Sequence, residues 1–301
     1  MDHRIVDLHV HSNKSDGTLT PAELVSAAKE AGLSAFALTD HDTVDGIPEA
    51  MHLARRADID LIPGIELSTH YELPRESPGS RSRRKTPAKE IHIVGLFIDP
   101  DNPLLQQKLR EFRRCRDERN AAIVDALQKE GFAITMEALT TENPDCVITR
   151  ANIARFLCEH GMVKTRREVF DKYIGDGCRC YVGRFMITPM DAVSLIRQAG
   201  GTAVLAHPLL YRLGSADLQR LIDDLKAAGL DGIEALYSTY TAGEEQLVRN
   251  LAKENGLAVS GGSDFHGANK PHIRLGIGTG TLRVPYSVLE TLKKCRRKSG
   301  L

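Results

Sequence analysis

Six histidines and three carboxylates in this chain are placed where they could do chemistry. His9 and His11 are two apart at the end of a strand-like segment, Arg4–Val10; side chains alternate along a strand, so both rings point to one face. Asp16 follows in the next loop, and His41 comes directly after a second apolar segment, within Thr39-Asp40-His41-Asp42. Glu66 lies near the end of a third segment, His92 inside a fourth, His207 directly after a fifth, and Asp264 and His266 directly after a seventh. Imidazole nitrogen with carboxylate oxygen suits Mn²⁺, Zn²⁺ or Fe²⁺ better than Ca²⁺ or Mg²⁺ alone. Nine ligands exceed what one ion needs. Two or three ions sharing a carboxylate, roughly 3.5–4 Å apart, clamp the attacking and leaving oxygens of an in-line displacement. The chemistry expected is therefore phosphoester hydrolysis by a metal-bridged hydroxide, with Asp264 or His207 as proton carrier. Asp7, Asp40 and Asp42 are candidates to orient ligand imidazoles through their second nitrogen.

These residues need a scaffold that brings strand ends to one rim. Strand-like segments at Arg4–Val10, Ser34–Thr39, Leu61–Ser68 and Glu90–Phe97 alternate with helices opened by Thr20-Pro21-Ala22-Glu23, a capping box with Pro at the first helical position, and by Pro48. The alternation predicts a parallel sheet. It breaks at about 100, where residues 103–130 read as one long helix and Thr149–His160 and Lys164–Tyr173 as two more. From Thr188 it resumes, with strands at Ala203–Ala206, Gly232–Leu236, Ala258–Gly261 and a last one near 276–282 that carries the glycines 276, 278 and 280. The reading is an α/β fold, a distorted (β/α)7 barrel formed by residues 1–99 and 188–301, with a mostly helical insertion at 100–187 covering the substrate site. Barrel active sites are built from strand C-terminal ends.

Composition narrows the function classes. The 301 residues carry 40 basic against 40 acidic side chains, which excludes a protein that coats nucleic acid by bulk charge. That neutrality is local cancellation: residues 1–70 hold 5 basic and 12 acidic groups, and every later segment is mildly basic. No stretch approaches the ~18 apolar residues of a membrane span, and the first strand begins too early for a signal peptide. Six scattered cysteines without a C-x-x-C pair predict reduced thiols and a cytoplasmic setting. Arg110, Arg113, Arg114, Arg116 and Arg119 on the long helix, interspersed with acids, read as a solvated, ion-paired face.

Asp7-Leu8-His9-Val10-His11-Ser12, Thr39-Asp40-His41-Asp42, Gly64-Ile65-Glu66, Ala206-His207-Pro208 and Ser263-Asp264-Phe265-His266 resemble the motifs of the polymerase and histidinol phosphatase (PHP) family of metal-dependent phosphoesterases, an amidohydrolase-like group. The resemblance covers residues 1–99 and 188–270. It implies a seven-stranded barrel with two or three metals, Mn²⁺ foremost. One metal would take His9, His11, Glu66 and Asp264, a second Glu66, His92 and His207, and a third Asp16, His41 and His266.

The segments Ile148–Leu157 and Gly175–Val182 further resemble a subgroup of 3′,5′-bisphosphate nucleotide phosphatases and 5′-to-3′ exoribonucleases acting on short RNAs. A substrate with a second phosphate needs cations away from the metals, and Arg150, Arg155, Arg179 and Arg184 are the candidates, since guanidinium forks match phosphate oxygens. The reading that follows is removal of the 3′-phosphate of a small bisphosphate nucleotide such as phosphoadenosine phosphate. The alternatives, in order, are trimming of 5′-phosphorylated oligonucleotides, histidinol phosphate hydrolysis, and a non-catalytic metal-binding module. No membrane and no obligatory protein partner is expected.

Overall fold

The computed structural model describes residues 3–73, 88–144, 146–183 and 186–298. Eight strands form one sheet: β1 (Ile5–Val10), β2 (Ala35–Leu38), β3 (Asp60–Glu72), β4 (Ala88–Leu96), β5 (Thr202–Leu205), β6 (Gly232–Tyr237), β7 (Ala258–Gly262) and β8 (Val284–Pro285), in the order β7-β6-β5-β4-β3-β2-β1-β8. The two ends meet. His9 O accepts from Asp264 N (2.8 Å), Phe265 O accepts from His11 N (3.0 Å), and Val10 bridges Phe265 in parallel, which nearly closes the sheet into a barrel. Gly262 permits that approach, because a Cβ there would collide with the backbone of His9.

The sheet is mixed, which corrects the expectation of a parallel one. β1–β2–β3 and β5–β6–β7 run parallel, but β4 is antiparallel to both β3 and β5. The pairing shows it directly: β3 and β4 run in reverse along their length, Gly64 opposite Leu96 through to Glu72 opposite Ala88, and the residues that join them, 74–87, lie outside the described residues. The expected strand at 276–282 is also absent. Gly276, Gly278 and Gly280 have φ of 76°, 55° and 122°, left-handed values that make turns, and the edge strand is the two-residue β8, antiparallel to β1.

Helices α1 (Pro21–Glu30), α2 (Ile47–Ala57), α7 (Pro189–Gln198), α8 (Ser215–Ala227), α9 (Ala242–Asn255) and α10 (Tyr286–Lys298) belong to the barrel portion. The predicted capping box at α1 is present, Glu23 N donating to Thr20 Oγ1 (3.2 Å) and Thr20 N to Glu23 Oε2 (2.8 Å). Residues 100–187 supply α3 (Pro103–Lys129), α4 (Met136–Glu142), α5 (Arg150–Glu159) and α6 (Arg166–Val169), the last continuing into a π-helical turn, Phe170–Ile174. α3 belongs to two cores. Its Leu105, Leu109 and Phe112 join the main hydrophobic cluster with residues of α1, α2 and α7, whereas Ile123, Val124 and Leu127 join a separate cluster with Leu139, Ile153, Phe156 and Val169. Among the described residues no helix is long and apolar enough to cross a membrane.

Candidate metal centre

Glu66 is the hub of the site. Its Oε2 lies 3.3 Å from His9 Nε2, 3.3 Å from His11 Nε2 and 3.2 Å from His41 Nδ1, and its Oε1 lies 2.9 Å from His92 Nδ1 and 3.1 Å from His207 Nε2. Asp264 Oδ1 stands 3.4 Å from His11 Nε2 and 3.3 Å from His266 Nδ1. Asp16 Oδ1 stands 3.2 Å from His266 Nε2, and its Oδ2 lies 3.8 Å from His41 Nε2. All nine sequence-predicted ligands thus converge, in four overlapping groups: His11, Asp16, His41 and His266; His9, His11 and Asp264; His9, Glu66 and His207; His41, Glu66 and His92. The implied third set reappears here with His11 added.

Strand ends and the loops that follow them explain seven of the nine, and Glu66 comes from the middle of β3, opposite Val94. His92 arrives differently, from within β4 opposite Ser68, because that strand crosses the rim in the reverse direction. Local backbone is forced at two positions: His207 has φ 26° and Asp264 φ 55°, in the left-handed region that bulky residues avoid and that functional turns exploit.

Buried imidazoles need partners, and several here have none of the ordinary kind. Nε2 of His9, both nitrogens of His11, Nδ1 of His41 and Nδ1 of His207 are buried and make no hydrogen bond. Such orphaned atoms are costly unless a cation takes their lone pairs, so the donor set fits divalent ions. The charges agree. Burial works against ionisation of Glu66, yet His41, His9 and His92 hold it well below the usual carboxylate range. Burial likewise opposes the charge on His92, but Glu66 lifts it to about 10, while burial drives His41 down to about 3. Three carboxylates among imidazoles attract positive charge of one kind or another, and a metal competes with protons for these nitrogens.

Three further side chains support the ligands, and sequence reasoning missed them. Glu234 on β6 places Oε1 3.0 Å from His9 Nδ1, and its Oε2 accepts from His207 N at 2.8 Å. The Tyr237 hydroxyl and Lys270 Nζ both donate to Asp264 Oδ2 at 2.6 Å, leaving Oδ1 to face the imidazoles. The only signal was a lone Glu inside the apolar run of β6. Asp7 and Asp40, expected to orient imidazoles, brace loops instead. Asp7 accepts from Ser263 N (2.8 Å), Ser263 Oγ and Gly276 N, which fixes the segment carrying Asp264; Asp40 accepts from Ser12 N and Oγ and from Ser15 Oγ, which fixes the loop leading to Asp16. Asp42 accepts from Ser68 N (3.0 Å) and pairs with Arg116.

A cleft of about 290 Å³ opens beside the centre, lined by Asp16, His41, His92 and His207 and also by Arg116, Arg119 and Arg150. Arg116 and Arg119 are 4% and 6% exposed, which overturns their reading as a solvated face: the long helix turns that face toward the cleft. Of the three described arginines proposed from sequence, Arg150, Arg155 and Arg179, only Arg150 lines it, held by Glu90 (2.9 Å) and Asp176 (3.0 Å). Arg155 bonds Asn143, and Arg179 pairs with Glu130 (2.7 Å) and stacks over Tyr173, neither among the cleft's described walls. Arg184 lies outside the described residues.

An α/β barrel that gathers six imidazoles and three carboxylates at one rim, beside a cleft walled by arginines, defines a metal-dependent hydrolase of phosphate esters. Residues 7–229 match the PHP domain, and the chain belongs to the PHP family of phosphoesterases. It is 38% identical over 263 residues to a 3′,5′-nucleoside bisphosphate phosphatase of Chromobacterium violaceum, covering 87% of each chain. It is also 37% identical over 260 residues to a 5′-3′ exoribonuclease of Haemophilus influenzae, covering 86% of this chain and 89% of that one. A solved structure from Bifidobacterium adolescentis, inferred to be a metal-dependent phosphoesterase, superimposes with a TM-score of 0.80 at 27% identity, covering 98% of this chain and 96% of that one.

Proposed function

We propose that this phosphoesterase removes the 3′-phosphate of a small 3′,5′-bisphosphate nucleotide. The observation that carries the reading is that Arg116, Arg119 and Arg150 line the same cleft as His41, His92 and His207. One phosphate would sit at the histidines and the other on guanidinium forks, which bind phosphate oxygens bidentately. The relative from Chromobacterium violaceum supports it by name.

His9, His11, Asp16, His41, Glu66, His92, His207, Asp264 and His266 would hold two or three divalent ions, Mn²⁺ foremost given the nitrogen and oxygen donors. When bound, such ions lower the pKa of water toward about 7 and screen charge building on the phosphoryl oxygens. The chain's own part is positional. Glu234 directs the His9 ring, Tyr237 and Lys270 aim Asp264, and the arginines fix the substrate's distal phosphate. Between the two proton-carrier candidates we choose His207, which lines the cleft, because Asp264 already accepts from two donors at one oxygen. Residues 100–187 act as a cover over the site, and the six free cysteines support a cytoplasmic setting.

A second reading, cleavage of short 5′-phosphorylated RNA, is supported by the Haemophilus influenzae relative. A panel assay of metal-reconstituted protein decides between them. Inorganic phosphate released from adenosine 3′,5′-bisphosphate is the expected result; mononucleotides released from a 5′-phosphorylated oligonucleotide, with no turnover of the bisphosphate, would replace it by the second.

A further inference from the structure

Three large apolar side chains are exposed among the described residues: Tyr181, Leu210 and Leu247. Two of them, Tyr181 at 39% and Leu210 at 49%, line one and the same cleft, the one beside the metal centre. They come from different parts of the fold. Tyr181 belongs to the segment after the π-helical turn, and Leu210 to the 3-10 turn Pro208–Tyr211 that follows His207. Phe170, the first residue of the π-helical turn, lines the cleft as well, and such turns recur at functional sites.

We propose that this apolar mouth is a nucleobase platform, with Tyr181 as its stacking ring and Leu210 as its aliphatic wall. The proposal rests on the phosphoesterase reading above and adds the third chemical part of the substrate. One region of the cleft is imidazole and carboxylate, a second is guanidinium, and the third is apolar and, among the described residues, exposed. A sugar bisphosphate would use only the first two. An aromatic heterocycle attached to that sugar gives the exposed ring and isobutyl group something to bury.

The ring is prepared for this. The guanidinium carbon of Arg150 lies 5.7 Å from its centroid, and Arg150 is itself fixed by Glu90 and Asp176. Tyr181 N donates to Cys178 O (3.0 Å), so the backbone carrying the ring is tied into a turn. Stacking is tolerant of base identity because every base has a π-face. The platform therefore selects for the presence of a base over its absence, and for purine over pyrimidine by overlap.

Equilibrium titration of the metal-loaded protein with adenosine 5′-monophosphate and with base-free ribose 5-phosphate tests it without turnover. Stacking on one aromatic side chain corresponds to roughly tenfold tighter binding of the nucleotide by the parent protein. Tyr181→Ala should erase that preference while leaving ribose 5-phosphate binding unchanged, and Tyr181→Phe should retain it. Equal affinities in the parent protein, or a preference that survives Tyr181→Ala, overturn the proposal. The phosphatase reading fails on a separate result, the absence of inorganic phosphate from adenosine 3′,5′-bisphosphate, which leaves the binding comparison intact.

Discussion

Glu234 Oε1 and His9 Nδ1 stand 3.0 Å apart, on strands β6 and β1 with β7 between them. A carboxylate accepting from Nδ1–H sets the tautomer, leaves Nε2 as the lone-pair nitrogen, and aims it at Glu66. The same carboxylate accepts from His207 N, so one side chain orients two ligands. Glu234→Gln is expected to weaken divalent metal binding about ten- to hundredfold, measured by titration calorimetry. Unchanged affinity would reduce Glu234 to a packing residue.

Lys270 brings an ammonium to a site that gathers cations. Its Nζ is 2.6 Å from Asp264 Oδ2, opposite in role to an incoming metal at Oδ1. Lys270→Met removes a competing positive charge while Tyr237 still holds the carboxylate, so metal affinity should rise several-fold. A fall would mean that holding Asp264 in place outweighs charge competition.

Arg116 pairs with the buried Asp42, and breaking such a pair strands a charge. Arg116→Ala should cost about 3 kcal/mol in denaturant unfolding. A loss under about 1 kcal/mol would place the pair among solvent-screened ones.

The cleft separates arginines that sequence position alone could not. Arg119→Ala should raise KM for a bisphosphate nucleotide tenfold or more and leave hydrolysis of an aryl phosphate unchanged. Arg179→Ala, whose partner is Glu130 on the exposed side, should affect both substrates equally and little. A substrate-selective loss at Arg179 instead would move the second-phosphate pocket.

Chelation should abolish turnover and lower the melting temperature together, since the orphaned nitrogens of His9, His11, His41 and His207 lose the cation that satisfies them. At metal concentrations a hundredfold above Kd the linked stabilisation is about 2.7 kcal/mol. Full activity after exhaustive chelation would end the metal-dependent reading.

The centre was legible because its residues announce themselves twice, by type and by position: a His directly after an apolar run is already at a barrel rim. The strand that carries His92 is legible, but its direction is not, since antiparallel pairing with both β3 and β5 is a long-range fact that no local pattern carries. Arg116 and Arg119 were misread since charge alternation on a helix looks the same whether the face meets water or a cleft. Glu234 and Lys270 act through contacts 225 and 6 residues away in sequence, and neither stands in a motif. The glycines 276–280 failed for a simpler reason: small residues near an expected strand end suit a strand and a left-handed turn alike, and φ decides.

Helix α3 runs for 27 residues, about 40 Å, and is anchored in the barrel core by Leu105, Leu109 and Phe112 and in the second core by Ile123, Val124 and Leu127. A single girder shared by both bodies leaves no joint for a jaw-like swing of one against the other. Entry to the cleft then depends on the side chains at its described mouth, Tyr181 and Leu210, and not on one core swinging against the other.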